Sequence, residues 1–163
     1  MAVKCSSCGA NVSKYDRMCS YCGTENPDYH SLDQEVAVLM SSGVEAFYNE
    51  QFAKAIGYFL GVIDRVPEVF DAYFYLAACH SALKRPAEAI KAMQQAQRIR
   101  PGNASLYLNL AILSKQVGNK EEAKKYLEQA LVAARTDPML QDRKDFENRV
   151  NKDLAEYKRW KLF

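Results

Sequence analysis

Glycine and proline are scarce in this chain, 7 and 5 of its 163 residues. Strand-and-turn architectures and disordered segments draw heavily on both, so the deficit argues against an all-β or unfolded chain and for helices. No apolar run approaches the ~20 residues that a membrane-spanning helix needs. The opening Met-Ala-Val-Lys-Cys has no apolar signal core. There are only two histidines, no glycine-rich phosphate loop and no Ser/His/Asp order, so an enzyme is not expected. A net charge of +2 gives little general attraction for nucleic acid. These absences point to a cytoplasmic protein. Apolar residues make up 48% of the chain, enough for a packed core.

Cysteine is present with a pattern. The N-terminal stretch reads Cys5-Ser-Ser-Cys8-Gly and then Cys19-Ser-Tyr-Cys22-Gly. A C-x-x-C pair supplies two thiolates from one tight turn, and two pairs complete a tetrahedral site. Gly9 and Gly23 follow the second cysteine of each pair, where the turn needs positive φ. Asn11, Ser13 and Asp16 are expected to turn the chain between the knuckles. Two disulfides are disfavoured, because cysteines only two residues apart pair poorly and thiolate ligands fit a reducing compartment. Iron suits four thiolates as well as zinc does. Zinc is the expected ion, one per chain, and four thiolates leave no position open for chemistry, so its role is structural. Cys79 stands apart among apolar residues and reads as a small buried hydrophobe. The neighbouring His80 does not activate it, because adjacent helical residues point apart.

Residues 3–25 resemble the short zinc-ribbon modules found at the ends of many prokaryotic proteins. Such ribbons contact DNA, RNA or protein. Lys4, Lys14 and Arg17 with Tyr15 and Tyr21 suit nucleic acid, while Asp16, Glu25 and Asp28 offset their charge.

Behind the knuckles the sequence repeats every 34 residues, in frames beginning at Val36, Phe70 and Ala104. Gly43, Ala77 and Ala111 share the eighth position; Ala55, Ala89 and Ala123 the twentieth; Phe59, Met93 and Leu127 the twenty-fourth. Small residues let paired helices approach, and the large one fills the space beside them. Pro67 and Pro101 stop the second helix of their frames. The third frame departs, with Arg135 in that place and its proline displaced to Pro138. The first frame carries Leu39 where the others have Tyr73 and Tyr107. Helices are predicted near 32–48, 52–66, 70–83, 86–100, 104–117 and 120–135, with Pro86 in a first turn and Gly118-Asn119 between helices. A seventh is predicted near 139–160, because Phe146, Val150, Leu154 and Tyr157 form one apolar stripe.

This pattern resembles the tetratricopeptide repeat. The resemblance implies an all-α fold: a right-handed superhelix of three helix pairs and a C-terminal capping helix, preceded by the small zinc ribbon. The expected divisions are a ribbon over 1–25, a linker over 26–32 holding Pro27, Tyr29 and His30, repeats over 33–136 and a cap over 137–163, where Trp160, Leu162 and Phe163 add apolar bulk. It also implies a concave face lined by Met40, Val44, Phe47, Phe74, Ala78, Leu108 and Ile112. A face this apolar is normally covered. A partner's peptide or amphipathic helix, the chain's own ribbon or linker, and a second copy are the candidate covers. The lysine, arginine and asparagine clamp with which some such repeats hold a terminal carboxylate is not expected, since Met40, Val44, Tyr75 and Ser105 occupy its places. The expected function is a non-enzymatic adaptor for a protein partner. The alternative is a nucleic-acid-associated factor whose ribbon contacts the nucleic acid while the repeats recruit protein.

Overall fold

The computed structural model describes residues 2–13, 18–19, 22–27, 32–138 and 140–159. Lys14, Tyr15, Asp16, Arg17, Tyr21, Asp28, Tyr29, His30, Trp160, Leu162 and Phe163, which carried parts of the sequence reading, lie outside the described residues. Two strands open the chain, β1 (Ala2–Lys4) and β2 (Asn11–Ser13), antiparallel with Val3 opposite Val12. Asn11 and Ser13 therefore belong to a strand and not to a turn between knuckles. The first knuckle is itself the hairpin turn: the Cys5 amide bonds the Ala10 carbonyl at 2.9 Å and carries the ladder straight into it.

Seven helices follow among the described residues: α1 (Leu32–Tyr48), α2 (Phe52–Arg65), α3 (Phe70–Ala82), α4 (Pro86–Ile99), α5 (Ala104–Gln116), α6 (Lys120–Ala134) and α7 (Arg143–Arg159). They pack as antiparallel pairs, α1 on α2, α3 on α4 and α5 on α6, with α7 laid against α6. Pro67 and Pro101 fall two residues past the ends of α2 and α4, and Pro86 opens α4, where a missing N–H costs nothing. The last helix starts later than its apolar stripe suggested. The Asp142 carboxylate accepts the Asp145 amide at 3.2 Å and caps α7 there.

The register of small and large residues is the packing code of the repeats. Phe59, Met93 and Leu127 are buried beside Gly43, Ala77 and Ala111. A Cβ placed on Gly43 would lie 2.6 Å from Cε1 of Phe59, so the first repeat takes glycine because it carries the largest filler. Phe59 in turn stacks on Tyr75 of the next repeat, with centroids 5.4 Å apart.

The turns inside each pair obey one geometry with different residues. Glu50, Lys84 and Gly118 stand 34 residues apart and all have positive φ, 58°, 59° and 82°. Each is followed by an amide that reaches back five residues: Gln51 to Ala46, Arg85 to His80 and Asn119 to Ser114, at 2.8–2.9 Å. These bonds close the carbonyl end of the first helix of each pair and force the left-handed residue. A left-handed L-residue costs about 1–2 kcal/mol, and glycine gives back ~0.5–1 kcal/mol in the unfolded chain. Glu50→Gly is expected to gain about 0.5 kcal/mol and Gly118→Ala to lose about 1 kcal/mol. Urea melts of the two variants check both signs.

The third repeat closes differently. Its displaced proline follows Asp137, which is 5% exposed and whose Oδ2 accepts the Ala104 amide at 2.8 Å. The loop after α6 is thereby tied to the start of α5. Asn103 accepts the Leu106 amide at 2.8 Å and caps the same helix.

Candidate functional site

The four sulfurs of Cys5, Cys8, Cys19 and Cys22 all lie within 4.8 Å of one another. Sγ of Cys5 is 3.6 Å from that of Cys22, and Sγ of Cys8 is 3.7 Å from that of Cys19. Thiolates at ~2.3 Å from a tetrahedral centre stand about 3.8 Å apart, and a disulfide would be about 2.0 Å. The spacing thus fits four ligands around one ion and not two disulfides. The knuckles are built alike. Gly9 and Gly23 have φ of 74° and 70°, and their amides donate to the Cys5 and Cys19 carbonyls at 2.9 Å. Cys5 and Cys19 are buried, whereas Cys8 and Cys22 face solvent.

The turns prepare the sulfurs for a cation. Hydrogen bonding from the Thr24 side chain, 3.3 Å away, and then from its backbone holds Cys22 down at about 6. Backbone amides of Cys8 and Ser7 lower Cys5. The Ala10 amide also favours a Cys8 thiolate, but contact with the Cys22 sulfur and desolvation outweigh it and push Cys8 up to about 12. Four sulfurs this close cannot all ionise without a positive centre among them. Val12 packs on Cys5 and Cys19, with Val3 against them, in a cluster separate from the helical core. Cys79 has no part in this: it is fully buried in α3, and burial pushes its thiol up to about 11.

On the helices, the residues read as a concave face divide into three groups. Phe74, Ala78 and Ile112 come together in one cleft of about 410 Å³ between α3 and α5, with Met93 of α4 also on its wall. Ile112 is 45% exposed there. Met40, Val44 and Phe47 are partly buried against the core at the α1 end, and Phe47 meets Phe52 and Tyr75 edge to face. Leu108 is 4% exposed and belongs to the core, because the first turns of α5 are enclosed by their neighbours; it is not open surface.

The cleft also holds polar residues, of which the repeat frame marks Ser81, at its twelfth position, but not Gln116 or Lys84. Ser81, Asn109 and Gln116 line it, as does Lys84. Lys84 escaped notice because it sits at the left-handed turn beyond α3, outside any helical stripe. A second cleft of about 340 Å³ continues past Ile112 and Gln116 to Asp153 and Tyr157 of α7. Beyond it Lys115 bonds Glu156 at 2.8 Å, and a wider hollow mixes Lys120, Lys124 and Lys125 with Glu121 and Glu128. Among the described residues, no helix is long and apolar enough to cross a membrane.

Comparisons with known proteins agree with this architecture. Two family models described as tetratricopeptide repeat match residues 42–104 and 82–142, and a model described as a zinc-ribbon domain matches residues 2–26. No curated protein matches the chain in sequence. Among solved structures, the type III secretion translocator chaperone SycD of Yersinia enterocolitica aligns with a TM-score of 0.72 at 18% identity, over 80% of this chain and 96% of that one. PcrH, solved with the chaperone-binding region of PopD, aligns at 0.72 and 15% identity, over 79% and 95%. The first repeat domain of Spaghetti (RPAP3), solved with an HSP90 peptide, aligns at 0.61 and 21% identity, over 75% and 94%. At these identities the likeness speaks for the fold.

Proposed function

For this chain of tetratricopeptide repeats headed by a zinc ribbon, we propose a non-enzymatic adaptor role in which the cleft between α3 and α5 holds an apolar or amphipathic segment of a partner protein. The observation that carries this is the cleft itself, where Phe74, Ala78 and the half-exposed Ile112 surround an opening edged by Ser81, Asn109 and Gln116. Apolar walls take side chains, and the amide and hydroxyl groups answer polar groups of a bound segment. Structural neighbours solved with peptides of their partners support the same reading. Met40, Val44 and Phe47 extend the surface toward the first repeat, with Leu108 beneath it.

In this reading Cys5, Cys8, Cys19 and Cys22 hold one Zn2+. The ion supplies folding energy to residues 1–25 and, with every position taken by sulfur, offers none to a substrate. Residues 26–32 link the ribbon to repeats over 33–136, and 137–163 cap them.

The test is affinity capture with the intact chain and with a Phe74→Asp, Ile112→Asp pair. Apolar anchors in such clefts are worth about 2 kcal/mol or more each, so capture is expected to fall at least ~30-fold while circular dichroism keeps its helical signal. Capture at the original level by a folded variant removes the cleft from the account.

A further inference from the structure

The last helix ends beside the proposed binding surface. Ile112 and Gln116 line both the α3–α5 cleft and the one that runs on to α7, where Tyr157 forms the far wall. The Lys115–Glu156 contact at 2.8 Å holds this end of α7 against α5. Tyr157 stands two residues before Arg159, the last described residue. Trp160, Lys161, Leu162 and Phe163 follow it in the sequence, three of them large and apolar.

A segment of that composition needs apolar surface to cover. The large apolar residues of α7 before Tyr157 are already taken, since Phe146, Val150 and Leu154 are buried in the helical core. The surface that opens next to Tyr157 is the pair of clefts, apolar at Ile112, Phe74 and Ala78. Reach suffices. Packed helices lie about 10 Å apart, so two such steps from α7 over α5 to α3 span about 20 Å. Residues 157–163 extend to about 20 Å.

We propose that residues 160–163 of this chain turn back over α5 and occupy the two clefts, with Trp160 at Ile112 and Tyr157 and the Leu162-Phe163 pair reaching Phe74 and Ala78. The capping helix then carries a tethered competitor, which a partner segment displaces to enter the α3–α5 cleft. A tether of a few residues supplies the tail at an effective concentration of the order of millimolar. The apparent affinity for a partner falls by the fraction of molecules whose cleft is free. This rests on the adaptor reading of that cleft.

Trp160 is the one tryptophan of the chain, so fluorescence of the zinc-loaded full-length protein reports this segment alone. Its emission is expected to be blue-shifted and shielded from acrylamide, and Ile112→Asp to remove the shielding. In the nitrogen-15-labelled chain, Trp160→Ser, Leu162→Ser and Phe163→Ser together are expected to shift the amides of Phe74, Ala78, Ile112 and Gln116. The peptide acetyl-Trp-Lys-Leu-Phe-amide, added to that variant, moves them back and binds it about fivefold more tightly than it binds the unaltered chain. Shifts confined to α6 and α7, with emission indifferent to Ile112→Asp, overturn the proposal. Shifts that grow with protein concentration give the cleft to a second copy and overturn it too. Partner capture by the serine variant is the separate arm. If the peptide shifts nothing in the clefts while capture stays sensitive to Phe74→Asp with Ile112→Asp, the tail proposal falls and the adaptor reading stands. If capture is also indifferent to that pair, both fall.

Discussion

A strong zinc chelator is expected to unfold the N-terminal module and leave the seven helices as they are. The module's buried cluster is Cys5, Val12 and Cys19 with Val3 against it, two of them ligands. Burying so few side chains stabilises by only a few kcal/mol, well short of the ~1–2 kcal/mol per residue needed to order the backbone. Four-thiolate zinc sites supply ~10–16 kcal/mol, which then serves as the module's folding energy. Among the described residues, the helical core shares no buried residue with it. Amide resonances of residues 2–13 and 22–27 should collapse to unfolded positions when metal is withdrawn, while helical circular dichroism changes little. Cys22→Ser should mimic the chelator by removing one ligand. Intact resonances in metal-free protein sink this account of the ribbon.

The second large effect lies between Gly43 and Phe59. Phe59→Ala empties a fully buried site in contact with Tyr75 and should cost about 3–5 kcal/mol. Gly43→Ala drives a methyl into the Phe59 ring, which is fixed by its stacking and cannot retreat cheaply. Overpacking of about 1–3 kcal/mol then outweighs the ~1 kcal/mol that alanine gains over glycine in a helix. The double variant Gly43→Ala, Phe59→Leu reproduces the pairing of Ala111 with Leu127 in the third repeat. In the Phe59→Leu background the alanine is expected to stabilise. That reversal of sign, read from urea unfolding, is the signature of direct contact between the two positions. Additive effects would mean that position eight is small for another reason.

That contact shows why so much of the fold was legible. Helix pairs at a fixed period leave the same size of residue at each point of close approach, so Gly43, Ala77 and Ala111 disclose the packing without coordinates. The knuckles were legible for a similar reason, since ligand spacing and the glycine after it are dictated by the turn. What escaped the sequence reading depended on contacts with no period. Glu50 and Lys84 adopt a glycine conformation because backbone bonds across the turn impose it. Asp142 sets the start of α7, and Asp137 binds an amide 33 residues away. Leu108 shares the frame position of Phe74 but is shut into the core. Equivalent register does not guarantee equivalent exposure when the first helix of the third repeat is so fully packed. The polar edge of the cleft was only partly visible: Ser81 falls at the twelfth position of its frame, whereas Gln116 ends α5 and Lys84 lies in the turn beyond α3.

The claim that the α3–α5 cleft is where a partner is held is tested most directly by photo-crosslinking from within it. A benzophenone side chain at Ala78, on the wall of the cleft, is compared with one at Gln95, on the exposed face of α4. The account predicts a discrete protein adduct from position 78, absent from position 95 and lost when Ile112→Asp is added. Adducts of equal yield from both positions, or from 95 alone, would contradict it.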